Sequence, residues 1–202
     1  MSKSGTRLVI AFFVSVLFVI LTGGAADACQ CLTRTPGFWG THPDITETYL
    51  TFDSKTYLPV CGKKLDTVDT GACSAIQAMC VAVGVESTEE GVPPQLLQLI
   101  RQIAAARLNL RATWTEGGGC TEEINNLVSE CDQLCEDFTE GDVTTAELKE
   151  SDCIDQLNAF NNSPDTFMQL FPPFDDPGAA DSSACRASTG DTVQITDCTQ
   201  ND

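Results

Sequence analysis

Hydrophobic and polar residues recur with a helical period in four stretches of the chain. In order, these stretches are 76–83, 95–111, 121–138 and 144–160. The second is the most regular, because a polar stripe runs opposite a broad apolar face. The stripe consists of Gln98, Gln102, Ala105 and Asn109. A broad apolar face is typical of a helix packed against a core, so the pattern predicts a mostly α fold.

Local signals predict where these helices begin and end. Ser74 and Thr144 each stand three positions before a Gln or Glu, which is the spacing of a capping box. Gly84 follows the first stretch as a helix stop, and Pro43 is suited to the first position of a shorter helix nearer the N-terminus. Gly and Pro become frequent beyond residue 162, which predicts an irregular C-terminal segment.

The first residues of the chain predict export. A basic start, Lys3 and Arg7, precedes an apolar run at 8–21, and small residues then lead to Ala26-Asp27-Ala28. This arrangement is typical of a secretory signal peptide, and the run is too short to span a bilayer comfortably. No second run approaches that length, so we expect a soluble mature chain.

We predict three segments on this basis: a signal peptide at 1–28, a cysteine-rich helical domain at 29–174, and a polar tail at 175–202. Cleavage after residue 28 makes Cys29 the first mature residue. A lipid on Cys29 is an alternative to free secretion, and it is the one membrane association we expect. The predicted location is therefore secreted or at the cell surface.

Cysteine usage strengthens the prediction of an oxidising compartment. All 11 cysteines follow the predicted cleavage site. In an exported chain this density indicates disulfides, and the odd number leaves one thiol over. The predicted fold class is a small, mostly α, disulfide-stapled helical domain with an irregular C-terminal tail. The disulfide candidates are Cys31, Cys61, Cys73, Cys80, Cys120, Cys131, Cys135, Cys153, Cys185 and Cys198.

The charge of the chain excludes some partners. The formal net charge is −18, and the stretch 116–155 contains many acidic residues but a single basic residue, Lys149. Binding to nucleic acid or to anionic lipid needs the opposite sign, so we expect neither. An unknown extracellular protein or a glycan remains as the expected partner. The simplest interpretation of the acidic segment is a solvated face.

A calcium site is a sharper interpretation of part of that segment. Residues 136–148 match the second half of a calcium-binding loop, with Gly141 at the sharp turn. The first half does not match, because Phe138 stands where an oxygen ligand belongs. A capping box explains the second half equally well. The candidate ligands are Glu136, Glu140, Asp142 and Glu147.

Cysteine and histidine also suggest copper or zinc. Cys29 and Cys31, with the single histidine His42, offer ligands of the right type. Cys131 and Cys135 lie one helical turn apart, but no histidine is near them in sequence. For this second pair we favour disulfides to neighbouring segments, in a helical-hairpin staple with Cys120 and Cys153. We expect no resident cofactor.

The chain carries none of the common catalytic motifs. It has no nucleophile elbow, no zinc-protease motif and no glycine-rich phosphate loop. A lone His42 cannot form a catalytic triad without partners. We therefore predict a non-enzymatic extracellular structural or binding module. The alternatives are a metal-binding secreted protein and a hydrolase with a non-standard site.

Three stretches resemble a group of bacterial secreted and surface domains. They are 31–43 (CLTRTPGFWGTHP), 103–109 (IAAARLN) and 157–162 (LNAFNN). The resemblance implies an extracellular module with no established activity, so it assigns no catalytic residues. The many cysteines and the acidic middle depart from the group.

The opening stretch has a structural and a binding interpretation. Gly37 and Gly40 allow tight turns around a buried Phe38 and Trp39, and His42 is placed to bond the central helix near Asn109. We favour this structural role. The alternative is a surface platform for a sugar or peptide. Its residues are Arg34, Phe38, Trp39 and His42.

Overall fold

The computed structural model describes residues 30–51, 55–69, 73–80, 93–166, 172–183, 185 and 198. Predictions for the signal peptide, for Cys29, for the end of the first helical stretch and for most of the tail lie outside these residues. The described part contains seven helices and one two-stranded sheet. In chain order the elements are α1 (Pro36–Thr41), α2 (Pro43–Leu50), β1 (Leu58–Val60), β2 (Lys63–Leu65), α3 (Ala75–Cys80), α4 (Pro94–Thr115), α5 (Glu122–Glu140), α6 (Thr145–Glu150) and α7 (Cys153–Asn161).

Helix α4 is the centre of the fold, as its periodicity predicts. It contacts the other six helices and β1. The predicted polar stripe, however, is only partly open to water, because Gln98 and Gln102 are half-buried. Ala105 and Asn109 are fully buried, because α7 covers this side of α4. Amide side chains join the two helices: Asn109 donates to Asn161, and Asn161 donates to Gln102.

Capping predictions hold at two of the helix starts. Thr144 and Glu147 form a reciprocal capping box at α6, and Ser74 Oγ accepts from the N–H of Gln77 at α3. The predicted helix 144–160 is wrong as a single element. It is divided into α6 and α7, because Asp152 adopts a left-handed backbone with φ 56° that an α-helix cannot continue through.

A short antiparallel hairpin joins the N-terminal and central helices, and the sequence pattern did not predict it. Leu58 pairs with Leu65 and Val60 with Lys63 across a turn at Cys61 and Gly62. Three residues on each strand are too few to display a period of two. The buried residues of the hairpin belong to the same hydrophobic core as the buried residues of α4.

Five disulfides connect all ten candidate cysteines, confirming the disulfide-rich fold. The pairs are Cys31–Cys120, Cys61–Cys135, Cys73–Cys198, Cys80–Cys185 and Cys131–Cys153. The predicted staple of Cys131 and Cys135 with Cys120 and Cys153 is present in one bond, Cys131–Cys153, which joins α5 to α7. The other half of the staple is wrong, because Cys135 is bonded to Cys61 and Cys120 to Cys31. Each closed loop restricts the unfolded chain, which contributes about 2–4 kcal/mol per bond.

The two ends of the helical unit lie side by side. Residues 31–33 run along the segment that follows α7: the Cys31 N–H donates to Thr166 Oγ1 over 2.7 Å and the Thr33 N–H to Asp165 over 2.6 Å. On the other side, the Leu32 N–H donates to Thr113 of α4 over 2.9 Å. The opening motif is therefore held between the central helix and the end of the domain. None of the described helices has both the length and the apolar character needed to cross a bilayer.

Candidate functional site

A buried asparagine on α4 organises the opening motif. Asn109 Oδ1 accepts from the Arg34 N–H over 2.8 Å and from Trp39 Nε1 over 3.0 Å. Its Nδ2 donates to the Arg34 carbonyl and to Asn161 Oδ1, each over 3.0 Å. All four hydrogen-bonding positions of the amide are used, as a fully buried polar side chain requires. We call these four residues the Asn109 network.

Trp39 belongs to the core. Its side chain is 0% exposed, and its indole N–H is the donor that reaches Asn109. The prediction of a buried Trp39 is confirmed, and the alternative that places Trp39 on a surface platform is wrong. The prediction that His42 makes the bond to Asn109 is also wrong. Trp39 lies one helical turn earlier and takes that position instead.

His42 stays within its own segment. Its Nδ1 lies 2.8 Å from the carbonyl oxygen of Phe38, and the imidazole stacks on the Phe38 ring with centroids 4.4 Å apart. The ring thus closes the end of α1, where Thr41 Oγ1 also donates to the carbonyls of Gly37 and Phe38. These contacts supply hydrogen-bond partners for backbone carbonyls at the C-terminus of α1, which have no partner within the helix.

Arg34 is enclosed by aromatic rings and a carboxylate. Its guanidinium carbon lies 5.5 Å from the Phe38 ring centre and 5.3 Å from that of Phe174, a cation–π geometry. The guanidinium also forms a salt bridge with Asp165 and donates to the Thr33 carbonyl over 2.7 Å. Of the predicted platform, Arg34, Phe38 and His42 are thus brought together, but their polar groups serve internal contacts.

Tyr49 extends this aromatic cluster towards the surface. Its ring lies 5.4 Å from Phe174 and 6.0 Å from Trp39, centre to centre. The hydroxyl donates to Glu116 Oε1 over 3.1 Å. Burial of the phenol, together with the neighbouring Glu116 carboxylate, raises the pKa of Tyr49 well above its ordinary value of 10.0. Tyr49 is therefore a neutral donor throughout the physiological range.

The proposed calcium ligands serve other roles. Gly141 is the left-handed C-cap of α5, at φ 89°, and the Glu147 carboxylate accepts from the Thr144 N–H over 2.8 Å. That hydrogen bond lowers the pKa of Glu147. Glu136 lies against Gly62 at the hairpin turn, while Glu140 and Asp142 are exposed. Among the described residues, no three potential ligands form a group that could hold a metal ion.

The cysteine candidates for copper or zinc are oxidised. Cys31 is bonded to Cys120, Cys131 to Cys153 and Cys135 to Cys61. A disulfide sulfur is not a thiolate ligand, so Cys31 is wrong as a candidate ligand of the site with Cys29 and His42. Cys29, the other predicted ligand, lies outside the described residues.

A second cluster of aromatic and cationic side chains lies at the surface and is open to solvent. Trp114 is 68% exposed, the one large hydrophobic side chain so exposed in the described ranges. It borders a cavity of about 280 Å³ whose other lining residues include Lys55, Pro59, Arg107, Arg111 and Asn125. We call this cavity the Trp114 pocket. Arg107, Arg111 and Trp114 come from successive turns of one face of α4.

The two arginines of the Trp114 pocket are held firmly. Arg111 donates to the backbone carbonyls of Leu50 over 2.8 Å and of Tyr57 over 2.5 Å. Arg107 Nη2 donates to Asp132 Oδ2 over 2.5 Å. The other oxygen of Asp132 accepts from the Cys61 N–H over 2.7 Å, which ties the hairpin turn to the same carboxylate. Carbonyls of two segments therefore orient Arg111, and one carboxylate of α5 orients Arg107.

Sequence reasoning missed the Trp114 pocket, although one signal was available. The spacing of Arg107, Arg111 and Trp114 puts three surface-type residues on one helical face, in a chain that is otherwise strongly acidic. The helical wheel alone does not show that this face lacks a covering element. Lys55 and Pro59 join it only through the fold, because they lie about fifty residues away in sequence.

Comparison with known proteins leaves these sites to be interpreted from their own geometry. No protein-family model, no curated protein and no solved structure matches the chain. The roles of the Asn109 network and of the Trp114 pocket therefore follow from their own contacts.

Proposed function

We propose that this chain is a non-enzymatic binding module that works outside the cytoplasm, of the kind found in the bacterial secreted domains that its opening motif resembles. The five disulfides support this proposal, because such bonds persist in oxidising compartments. The basic start, the apolar run 8–21 and the small residues before Cys29 support export through a cleaved signal peptide.

One observation carries the binding role. The aromatic and cationic side chains form two groups, one enclosed within the fold and one open to solvent. Arg34 and His42 hydrogen-bond to backbone carbonyls, and Trp39 donates to Asn109. The Trp114 pocket instead presents a flat ring and cations to solvent. Its described lining offers no histidine, cysteine or carboxylate, the groups that most often perform acid–base or nucleophilic chemistry. This favours holding a ligand over transforming one.

The chemical state of Cys29 determines whether the module is freely secreted or anchored to a membrane surface. The other ten cysteines pair with one another, which leaves Cys29 as the odd cysteine of the sequence. We favour free secretion, because Ala26 stands where lipidated sites usually carry Leu. In that form Cys29 is a free thiol or bonds a second molecule. An acyl chain on Cys29 would instead make the protein a surface lipoprotein.

Intact mass of the mature protein, purified from its native compartment, tests the proposal. We expect a chain that begins at residue 29, with ten cysteines resistant to alkylation until a reductant is added. An added mass matching acyl chains would replace secretion with lipid anchoring. More than one free thiol in the unreduced protein would contradict the extracytoplasmic assignment. A native spectrum shows at the same time whether calcium, copper or zinc is bound in stoichiometric amount, which would replace the proposal by the metal-binding alternative.

The hydrolase alternative needs its own measurement. Wild-type protein and a His42→Ala variant are assayed side by side on ester, glycoside and peptide substrates. We expect no turnover above background in either. Turnover that is present in the wild type and lost in the folded variant would overturn the non-enzymatic assignment.

A further inference from the structure

The Trp114 pocket concentrates positive charge on a protein that has little of it. The whole chain has 11 basic and 29 acidic residues, yet Lys55, Arg107 and Arg111 line this single cavity. Lys64, the strand partner of Pro59, projects from the same face of the hairpin, and its ammonium nitrogen lies 5.1 Å from the centre of the Tyr57 ring. Asp132 is the carboxylate that faces Arg107, and it is nearly buried beneath the arginine. The described lining of the pocket thus contains three cationic residues and no carboxylate.

The exposed indole is the second feature. A tryptophan that leaves 68% of its surface in water gives up most of the free energy that burial of its ring would supply. The core therefore does not account for this side chain. Flat aromatic rings at the edge of a pocket bind other flat apolar surfaces, and the C–H face of a sugar ring is one of these.

The third feature is the side-chain oxygen of Asn125, a hydrogen-bond acceptor. Asn125 donates through Nδ2 to the carbonyls of Cys120 and Thr121, which orients its side-chain oxygen. In the described part of the chain, no donor is recorded for that oxygen. A ligand hydroxyl can donate to it. The pocket thereby combines three kinds of group: cations for an acid, a ring for an apolar face, and an amide oxygen for a hydroxyl.

The size of the pocket limits the ligand. About 280 Å³ lies just below the range of about 300–1,000 Å³ that accommodates drug-sized molecules. This volume suits one sugar ring with its substituents, with further units of a chain lying outside.

We propose that the Trp114 pocket binds a carboxylate-bearing sugar, such as a uronic acid unit of an extracellular polysaccharide. The ring of the sugar stacks on Trp114, its carboxylate meets Lys55 and the edge of Arg107, and a hydroxyl donates to Asn125. Arg107 and Arg111 need little reorganisation on binding, because the protein already holds them. This proposal rests on the proposed role as an extracellular binding module and specifies its ligand.

Calorimetric titration of the mature, disulfide-bonded protein with trigalacturonate tests the proposal, with neutral trigalactose as the matched ligand. We expect measurable binding of the acid, at least tenfold weaker binding of the neutral sugar, and a loss of affinity as salt rises. Equal binding of the two sugars would overturn the assignment of an anionic ligand. No binding of either would overturn the sugar proposal as a whole. Stronger binding of hexaglutamate than of trigalacturonate would replace it with an acidic peptide ligand.

Variants locate the site. Trp114→Ala is expected to weaken trigalacturonate binding about tenfold or more, as removal of a central aromatic anchor does, and Lys55→Gln about threefold to tenfold. Lys149→Gln is the control, because Lys149 is an exposed lysine on α6 and is not among the pocket lining. Binding that survives in Trp114→Ala, or that falls equally in Lys149→Gln, would contradict the assigned site. Mass and thiol measurements are independent of this titration, so a failure here leaves the extracellular assignment standing.

Discussion

Two regions of the molecule use the same kinds of side chain for opposite purposes. Around Arg34, a guanidinium lies between the rings of Phe38 and Phe174, and Asp165 neutralises its charge. Around Trp114, guanidinium groups and an indole face a cavity that is open to water. Residue type alone therefore does not separate structure from binding. The difference lies in whether the fold covers the aromatic ring, since Trp39 is fully buried and Trp114 is 68% exposed.

The physical cost of burial explains the contrast. A buried indole N–H or backbone N–H without a partner loses its bonds to water, which costs about 1–3 kcal/mol. The region around Arg34 avoids this cost because Asn109 accepts from both Trp39 and the Arg34 backbone. At Trp114 water still reaches the ring, so no internal partner is required. The first region is thus closed by its own contacts, and the second is open to solvent.

The largest expected effect comes from breaking the closed region at its centre. Asn109→Ala removes four hydrogen bonds and leaves the Trp39 indole N–H and the Arg34 N–H buried without an acceptor. We expect the free energy of unfolding to fall by about 3–5 kcal/mol, measured by urea denaturation of the disulfide-bonded protein.

The exposed Asn126 of α5 provides the control, and Asn126→Ala should change stability by less than about 0.5 kcal/mol. If Asn109→Ala does not fold, Asn161→Ala removes part of the same amide chain and should cost about 1–2 kcal/mol. A loss below about 1 kcal/mol in Asn109→Ala would mean that the Asn109 network does not organise the opening motif.

A smaller effect is expected where the closed region reaches the surface. The folded state raises the pKa of Tyr49 above 10.0, so above that pH the unfolded chain releases this proton while the folded chain retains it. Stability should therefore be fully present below about pH 10 and fall as pH rises beyond it. Urea unfolding between pH 8 and 11 measures this slope.

Tyr49→Phe is the matched variant for the alkaline slope. It keeps the ring contacts with Trp39 and Phe174 but has no proton to lose, so its stability should decline less steeply above pH 10 than that of the wild type. At neutral pH it lacks the bond to Glu116 and should be about 0.5–1 kcal/mol less stable. Identical slopes for the two proteins would show that Tyr49 ionises as easily folded as unfolded.

The smallest effect on stability is expected in the open region. Trp114→Ala should change the free energy of unfolding by no more than about 0.5 kcal/mol, because the side chain is largely exposed already. The chain has two tryptophans, so acrylamide quenching separates them. The wild type should show one accessible and one protected emitter, and Trp114→Phe should leave the protected emission of Trp39. A destabilisation above about 2 kcal/mol would mean that Trp114 supports the fold.

Helix positions were largely predictable, because an amphipathic period over fifteen or more residues is a strong local signal. Helices α4 and α5 follow their predicted ranges closely, and the capping box at Thr144 is present. The break at Asp152 was not predictable, since the apolar pattern continues across it while the backbone turns. The hairpin at 58–65 was also missed, because its strands are too short to display their period.

The candidate sites were less predictable than the helices. The opening stretch was rightly expected to bury Trp39. The hydrogen bond to Asn109 was assigned to His42, whereas Trp39 makes it. That choice depends on which side of α1 faces α4. The calcium hypothesis rested on a spacing that the capping of α5 and α6 explains without a metal, as Gly141 and Glu147 show. The Trp114 pocket required knowledge of which helical face has no covering neighbour.

The sequence by itself determined the mostly helical class, the presence of a disulfide framework and the acidic character of the chain, because these depend on local periodicity and on counts. Only the tertiary structure decided that Cys31 pairs with Cys120, that Asn109 is covered by α7, and that Lys55 lies near Trp114. Contacts between residues distant in the chain depend on how helices pack and turn. That packing also determines which of two chemically similar clusters is sealed and which remains open to a ligand.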